Sequence, residues 1–189
     1  MRRMVLGAAA LFVCACGQQT QTASAPRADA CARSATHDVV WTNSDAPDTI
    51  AVRAQGPTCV QAVVTFIVRN AQGDPLWQFI STYHDMTTGG AAPQDAPAVS
   101  PERVDHFLAG WANVTVQTSG QLPQWPEGAE NIGSNGRLTY NTAFSRATYE
   151  ATRQRNLRMI CYAAGVDATQ CLVIDPSSNA PAMIVAYGP

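Results

Sequence analysis

The residues able to do chemistry in this chain of 189 residues are few, and the three histidines each stand beside an acid: His37-Asp38, His84-Asp85 and Asp105-His106. A histidine with a carboxylate suits general acid–base work or the ordering of a water molecule. Adjacency alone does not make a dyad, because neighbouring residues on a strand point to opposite faces. His84 is the best placed, where an apolar run gives way to a Gly-rich loop, and strand ends and loops are where scaffolds carry their sites. With Asp85, Thr87 and Thr88 it could hold a metal or activate water. His84, Asp85 and His106 are therefore the catalytic candidates, and the reaction they would serve is hydrolysis. No further spacing supports a metal: there is no HExxH, no HxH and no Asp/Asn-rich calcium loop. A GxSxG elbow and a glycine-rich phosphate loop are also missing, so neither a metal nor a cofactor is expected.

All 12 basic residues are arginine. Without lysine a P-loop, a Schiff base and a Ser-Lys dyad are excluded. Arg146, Arg153, Arg155 and Arg158 cluster, and guanidinium groups can clamp carboxylates or phosphates; Glu150 among them favours a solvated face instead. The formal net charge of −2 gives no electrostatic footprint for nucleic acid.

The first residues set the compartment. Arg2 and Arg3, the apolar run from Val5 to Val13 and then Val13-Cys14-Ala15-Cys16-Gly17 follow the layout of an export signal too short to span a bilayer. This segment resembles the lipobox of bacterial lipoproteins. The resemblance covers residues 1–17 and implies that residues 1–15 are removed, that Cys16 is lipidated, and that the chain is anchored in the cell envelope facing the periplasm. Gly17 after the acceptor, rather than aspartate, leans towards the outer membrane. Residues 16–36 are polar and without period, as in a flexible tether. The globular part is expected over 37–189, as a single domain.

Cys31, Cys59, Cys161 and Cys171 then read as disulfide partners in an oxidising periplasm. Chain order favours Cys31 with Cys59 and Cys161 with Cys171.

Stepping along the chain, Asp38–Thr42 and Asp48–Ala54 read as strands. Cys59–Arg69 and Leu76–Tyr83 form the strongest signal, a hairpin in which a turn at Gln72-Gly73 sets Val68 opposite Trp77, Phe66 opposite Phe79 and Ala62 opposite Tyr83. Residues 82–99 read as a long loop. Ser100-Pro101-Glu102 opens a helix whose stripe is Val104, Phe107, Leu108 and Trp111. Residues 113–118 alternate as a strand, 120–137 form a second long loop, and 138–141 make a short strand. Thr142–Ala164 is read as a helix with a break near 154–156; the alternative for 157–163 is a strand paired with 169–175. Gln170–Ile174 and Ala182–Tyr187 close the chain as a hairpin. The expected class is α+β, a mainly antiparallel sheet with two helices packed on one face.

Two aromatics near the loops, Tyr83 and Trp125, are the binding candidates, Trp125 because it is held between Pro123 and Pro126. The alternative for both is core packing. The leading functional expectation is an envelope-anchored, non-catalytic lipoprotein that binds a protein or a wall polymer such as peptidoglycan, touching the membrane through Cys16 and with no nucleic-acid partner. The alternative is a periplasmic hydrolase centred on His84 and Asp85.

Overall fold

The computed structural model describes residues 30–42 and 45–189. The signal-like segment, Cys16 and nearly all of the tether lie outside the described residues.

Four strands form one antiparallel meander: β1 (Cys31–Val39), β2 (Asp48–Gly56), β3 (Val63–Arg69) and β4 (Pro75–Thr82), in that order. Their apolar residues alternate, with Ile50, Val52 and Ala54 of β2 and Val64, Phe66 and Val68 of β3 all buried. This period of two turns one face inward and leaves the other to water. The β3–β4 register is the one expected, with Val68 opposite Trp77 and Phe66 opposite Phe79. Ala62 meets Tyr83 through the Tyr83 N–H, which donates to the Ala62 carbonyl at 2.8 Å. The turn itself is longer than two residues. Asn70 Oδ1 accepts from the backbone of Gln72 and Asp74, and Gly73 takes the positive φ of 88° that the turn requires.

The second sheet has six strands in the order β5-β8-β9-β10-β7-β6: β5 (Thr115–Thr118), β6 (Gly133–Asn135), β7 (Leu138–Asn141), β8 (Arg158–Ala163), β9 (Thr169–Asp175) and β10 (Ala180–Gly188). Among the described residues there are three α-helices: α1 (Tyr83–Thr88), α2 (Pro101–Ala112) and α3 (Arg146–Gln154). A 3-10 turn follows β5 at Ser119–Gln121.

Both disulfides join the partners that chain order favours. Cys31–Cys59 ties the start of β1 to the chain after β2, and Cys161–Cys171 crosses directly between β8 and β9.

The α+β class and the antiparallel pairing hold, with strand dominating helix. Several expectations need correction. Residues 157–163 are not helix: β8 occupies 158–163 and pairs with β9, which is the alternative reading. The reason is that β8 is buried on both faces, so Met159 to Tyr162 read as an unbroken apolar run in which period two and period 3.6 look alike. The chain turns out of α3 at Asn156, which adopts φ 53°. The tether boundary at residue 36 is too late, because β1 begins at Cys31. An edge strand with only Cys31 and Val39 buried shows little alternation to find. The loop over 82–99 begins with α1, a single short helix capped by Thr82 Oγ, which accepts from the Asp85 N–H at 3.1 Å. The strands divide into two sheets rather than one.

The two sheets share a core. α2 starts as its sequence demands, with Ser100 as N-cap and Pro101 first in the helix, and buries Val104, Leu108, Trp111 and Ala112 against the meander. Ile160, Tyr162 and Leu172 of the second sheet join that same cluster. Tyr162 stacks on Phe66 at 4.6 Å between ring centroids and lies 5.5 Å from Phe79. The Tyr162 hydroxyl accepts from Trp77 Nε1 at 2.9 Å and donates to Gln170 Oε1 at 2.6 Å, so its polar end is satisfied while its ring is buried. Met159, Cys161, Cys171 and Val173 face the other way, into a second cluster with Tyr149 of α3. α2 and α3 thus serve opposite faces of β8 rather than one common face.

Candidate functional site

Around His84 the structure brings together some of the expected residues and separates others. His84 stands on α1, and its ring Nδ1 lies 3.2 Å from the Gly90 carbonyl and 3.0 Å from Thr88 Oγ. Asp85 is engaged elsewhere, accepting from Ser81 Oγ at 2.8 Å and from the Gly90 N–H at 2.8 Å. Those two bonds, Ser81 first, hold its carboxyl below the usual carboxylate range. The adjacent pair is therefore not a dyad: each member closes the short helix onto its own loop. His106 is exposed on α2, and its neighbour Asp105 forms an ion pair with Arg33 of β1. His37 is exposed on β1, paired in register with Ile50.

His84 does share a small pocket with the start of α2. A cavity of about 180 Å³ is lined by Val60, Tyr83, His84, Val99 and Arg103, among others. It contains no carboxylate. Tyr83 forms part of its wall but is itself buried, edge-on to Phe107 at 5.3 Å between centroids. Trp125 is likewise buried, with its indole N–H donating to the Ala129 carbonyl at 3.0 Å. It folds back against Tyr149, which makes it packing rather than an exposed anchor. Among the described residues no group of three or more His, Cys, Asp or Glu side chains is placed to hold a metal ion.

A larger cavity, about 530 Å³, lies elsewhere, between α3 and the β9–β10 hairpin. Its origin is in the two flanks of α3. On one flank, Tyr149 is fully buried and its hydroxyl donates to the Pro123 carbonyl at 2.8 Å. Glu150 accepts from the Trp125 N–H at 2.6 Å and from Arg153 Nε at 2.9 Å. These contacts fasten the loop carrying Trp125 to the helix. On the opposite flank, Ala147, Thr148, Ala151, Thr152 and Arg155 recur at helical spacing and line the cavity. Small residues there leave space that larger ones would fill.

The floor of the cavity includes Val173 and Ala182, which pair across β9 and β10. Phe144 closes one end. It follows Thr142, whose hydroxyl donates to the Ile184 carbonyl at 2.6 Å. The other end is polar. Met159 pairs with Val173, so the chain leaving α3 enters β8 alongside the end of β9, and Arg155 lines the cavity together with Asp175, Pro176 and Ser177. Asp175 accepts from the Ser177 N–H at 3.0 Å, from Ser177 Oγ at 2.7 Å and from Ser178 Oγ at 2.9 Å. These donors, the Ser177 hydroxyl foremost, bring its carboxyl down to about 2. Arg155 forms no ion pair with Asp175 or with any other acid among the described residues.

No family model matches the chain, and no characterised protein or solved structure shows significant similarity to it. Its function must be argued from this geometry.

The cavity was partly visible in the sequence. The arginine cluster is split by the fold, with Arg153 bound to Glu150 while Arg155 faces the cavity. The signal that could have located it is the run of Ala and Thr at 147, 148, 151 and 152, a small-residue helix flank opposite Tyr149.

Proposed function

We propose that this chain is an envelope-anchored, non-catalytic binding module, held to a membrane by lipid on Cys16, with the cleft beneath α3 as the site that takes a small ligand with an apolar body. The observation that carries the reading is the cleft itself. Its volume falls within the range of small-molecule sites, and its lining combines Phe144, Val173, Ala147, Ala151 and Ala182 with the polar groups of Thr148, Thr152, Arg155, Asp175 and Ser177. An accessory or adaptor role for an envelope partner fits such a site. Two disulfides in the folded part support an oxidising compartment. The hydrolase alternative loses support because His84 and Asp85 are each bonded to their own loop and His106 stands apart on α2.

The test uses the Cys16→Ser chain, which carries no lipid and needs no detergent, and the neutral dye Nile red. One dye should bind per chain, and Ala151→Phe, which fills the cleft from an exposed position on α3, should abolish binding while the circular dichroism stays native. Equal binding by both chains would exclude the cleft. Cell fractionation of the same Cys16→Ser chain tests the anchor: it should leave the membrane fraction, and an unchanged distribution would contradict lipid attachment.

A further inference from the structure

We propose that the ligand of the α3 cleft is an amphiphile with a single anionic head of the carboxylate type, its head on Arg155 and its aliphatic body running towards Phe144. This rests on the cleft being the binding site, and it follows from which polar groups there are still free.

At the polar end, the acceptors of Asp175 are occupied by three donors from Ser177 and Ser178. Those bonds leave its charge in place but use three of its about four acceptor positions, so a ligand donor finds little left to bond there. The Thr hydroxyls on the helix flank are also engaged. Thr152 Oγ donates to the Thr148 carbonyl at 2.8 Å, and Thr148 Oγ lies 3.0 Å from Ser145 Oγ. What remains is the Arg155 guanidinium, a planar array of donors without an acid partner. Such a group pairs best with a carboxylate or phosphate oxygen pair. Away from it the lining is Ala147, Ala151, Val173, Ala182 and Phe144, with Thr148 and Thr152, whose hydroxyls are already bonded, between the alanines of the helix. A hydrophilic anion would leave those walls without contacts, and an uncharged hydrocarbon would leave Arg155 unused. An anion carrying an alkyl chain uses both. One negative charge suits the site better than two, because the ionised Asp175 stands at the same end and repels further charge.

The experiment measures displacement of Nile red from the Cys16→Ser chain by decanoate, decanol and decyltrimethylammonium, each below its micelle-forming concentration. Decanoate should displace the dye at roughly a tenth of the concentration that decanol requires, the factor expected of a charge-assisted hydrogen-bonded pair. Decyltrimethylammonium should be the poorest of the three. Arg155→Gln should erase the advantage of decanoate over decanol while leaving decanol unchanged. Acetate, the head without a body, should not displace the dye. If decanoate and decanol compete equally, or if the preference survives Arg155→Gln, the assignment of the head is wrong although the cleft remains the site. If dye binding is unaffected by Ala151→Phe, and by Thr148→Phe as a second filling variant, the cleft reading fails first and takes this one with it.

Discussion

The two faces of β8 and β9 are covered in different ways, and the contrast accounts for where this molecule is closed and where it is open. Towards the meander, the strands meet β3, β4 and α2, a helix of 12 residues that buries four of them, and Phe66, Phe79, Trp111 and Tyr162 interlock. Towards solvent, the same strands are covered by α3, a helix of 9 residues that buries only Tyr149. The rest of that cover is the loop carrying Leu122, Trp125 and Ile132, which packs against one flank of the helix. A long amphipathic helix with large residues seals a sheet face. A short one anchored by a single tyrosine and flanked by alanines leaves a cleft.

The largest effect should come from the sealed face. Phe66→Ala removes the ring at the centre of the aromatic cluster and should cost about 4 kcal/mol in urea unfolding. Ligand binding in the native state should remain, and a cost below about 1 kcal/mol would show that the two faces are not as different as described. Next come the disulfides. In the chain-entropy model, opening Cys31–Cys59, with its separation of 28 residues, costs about 3.6 kcal/mol, and opening Cys161–Cys171, with a separation of 10, about 2.7 kcal/mol. Paired Cys→Ala variants test this by their unfolding midpoints. Losing Cys161–Cys171 should also alter the cleft, whose floor is β9, whereas losing Cys31–Cys59 should not.

A smaller effect belongs to Tyr149. Tyr149→Phe loses the bond to Pro123 and should cost about 1 kcal/mol. Burial also pushes the Tyr149 hydroxyl up to about 12 from 10.0. The folded state then holds its proton more tightly than the unfolded one. The stability this contributes is present below pH 10 and is lost as pH rises towards 12. The chain has no lysine and all described cysteines are in disulfides, so among the described residues this window belongs to tyrosines. Tyr140 and Tyr162 are raised by burial as well, so Tyr149→Phe should flatten the alkaline fall without removing it. An unchanged alkaline slope would mean that Tyr149 is not the anchor of α3. The smallest effect should be Ala151→Leu, an exposed position, with a stability change within about 0.5 kcal/mol.

Much of the fold could be read from the residues. The β3–β4 register, the start of α2 at Ser100-Pro101 and the disulfide pairing all rest on local rules: alternation, capping and chain proximity. What escaped had no local signature. β8 is strand because both its faces are covered, a property of the assembled sheets, and β1 is an edge strand held by its ladder to β2, with only Cys31 and Val39 buried to mark it. The site escaped for a related reason. His84 and Asp85 drew attention by their chemistry, whereas the cleft is made of alanines and threonines whose importance is the room they leave. Arg155 was visible within the arginine cluster, but only the fold separates it from Arg153, which Glu150 holds.

The most direct test compares the two cavities in one experiment, by following backbone amide shifts of the Cys16→Ser chain as decanoate is added. Shifts should concentrate in residues 144–155 and 173–182 and leave Val60, His84 and Arg103 unmoved. Shifts centred on His84 and Arg103, with α3 and the β9–β10 hairpin silent, would contradict the account.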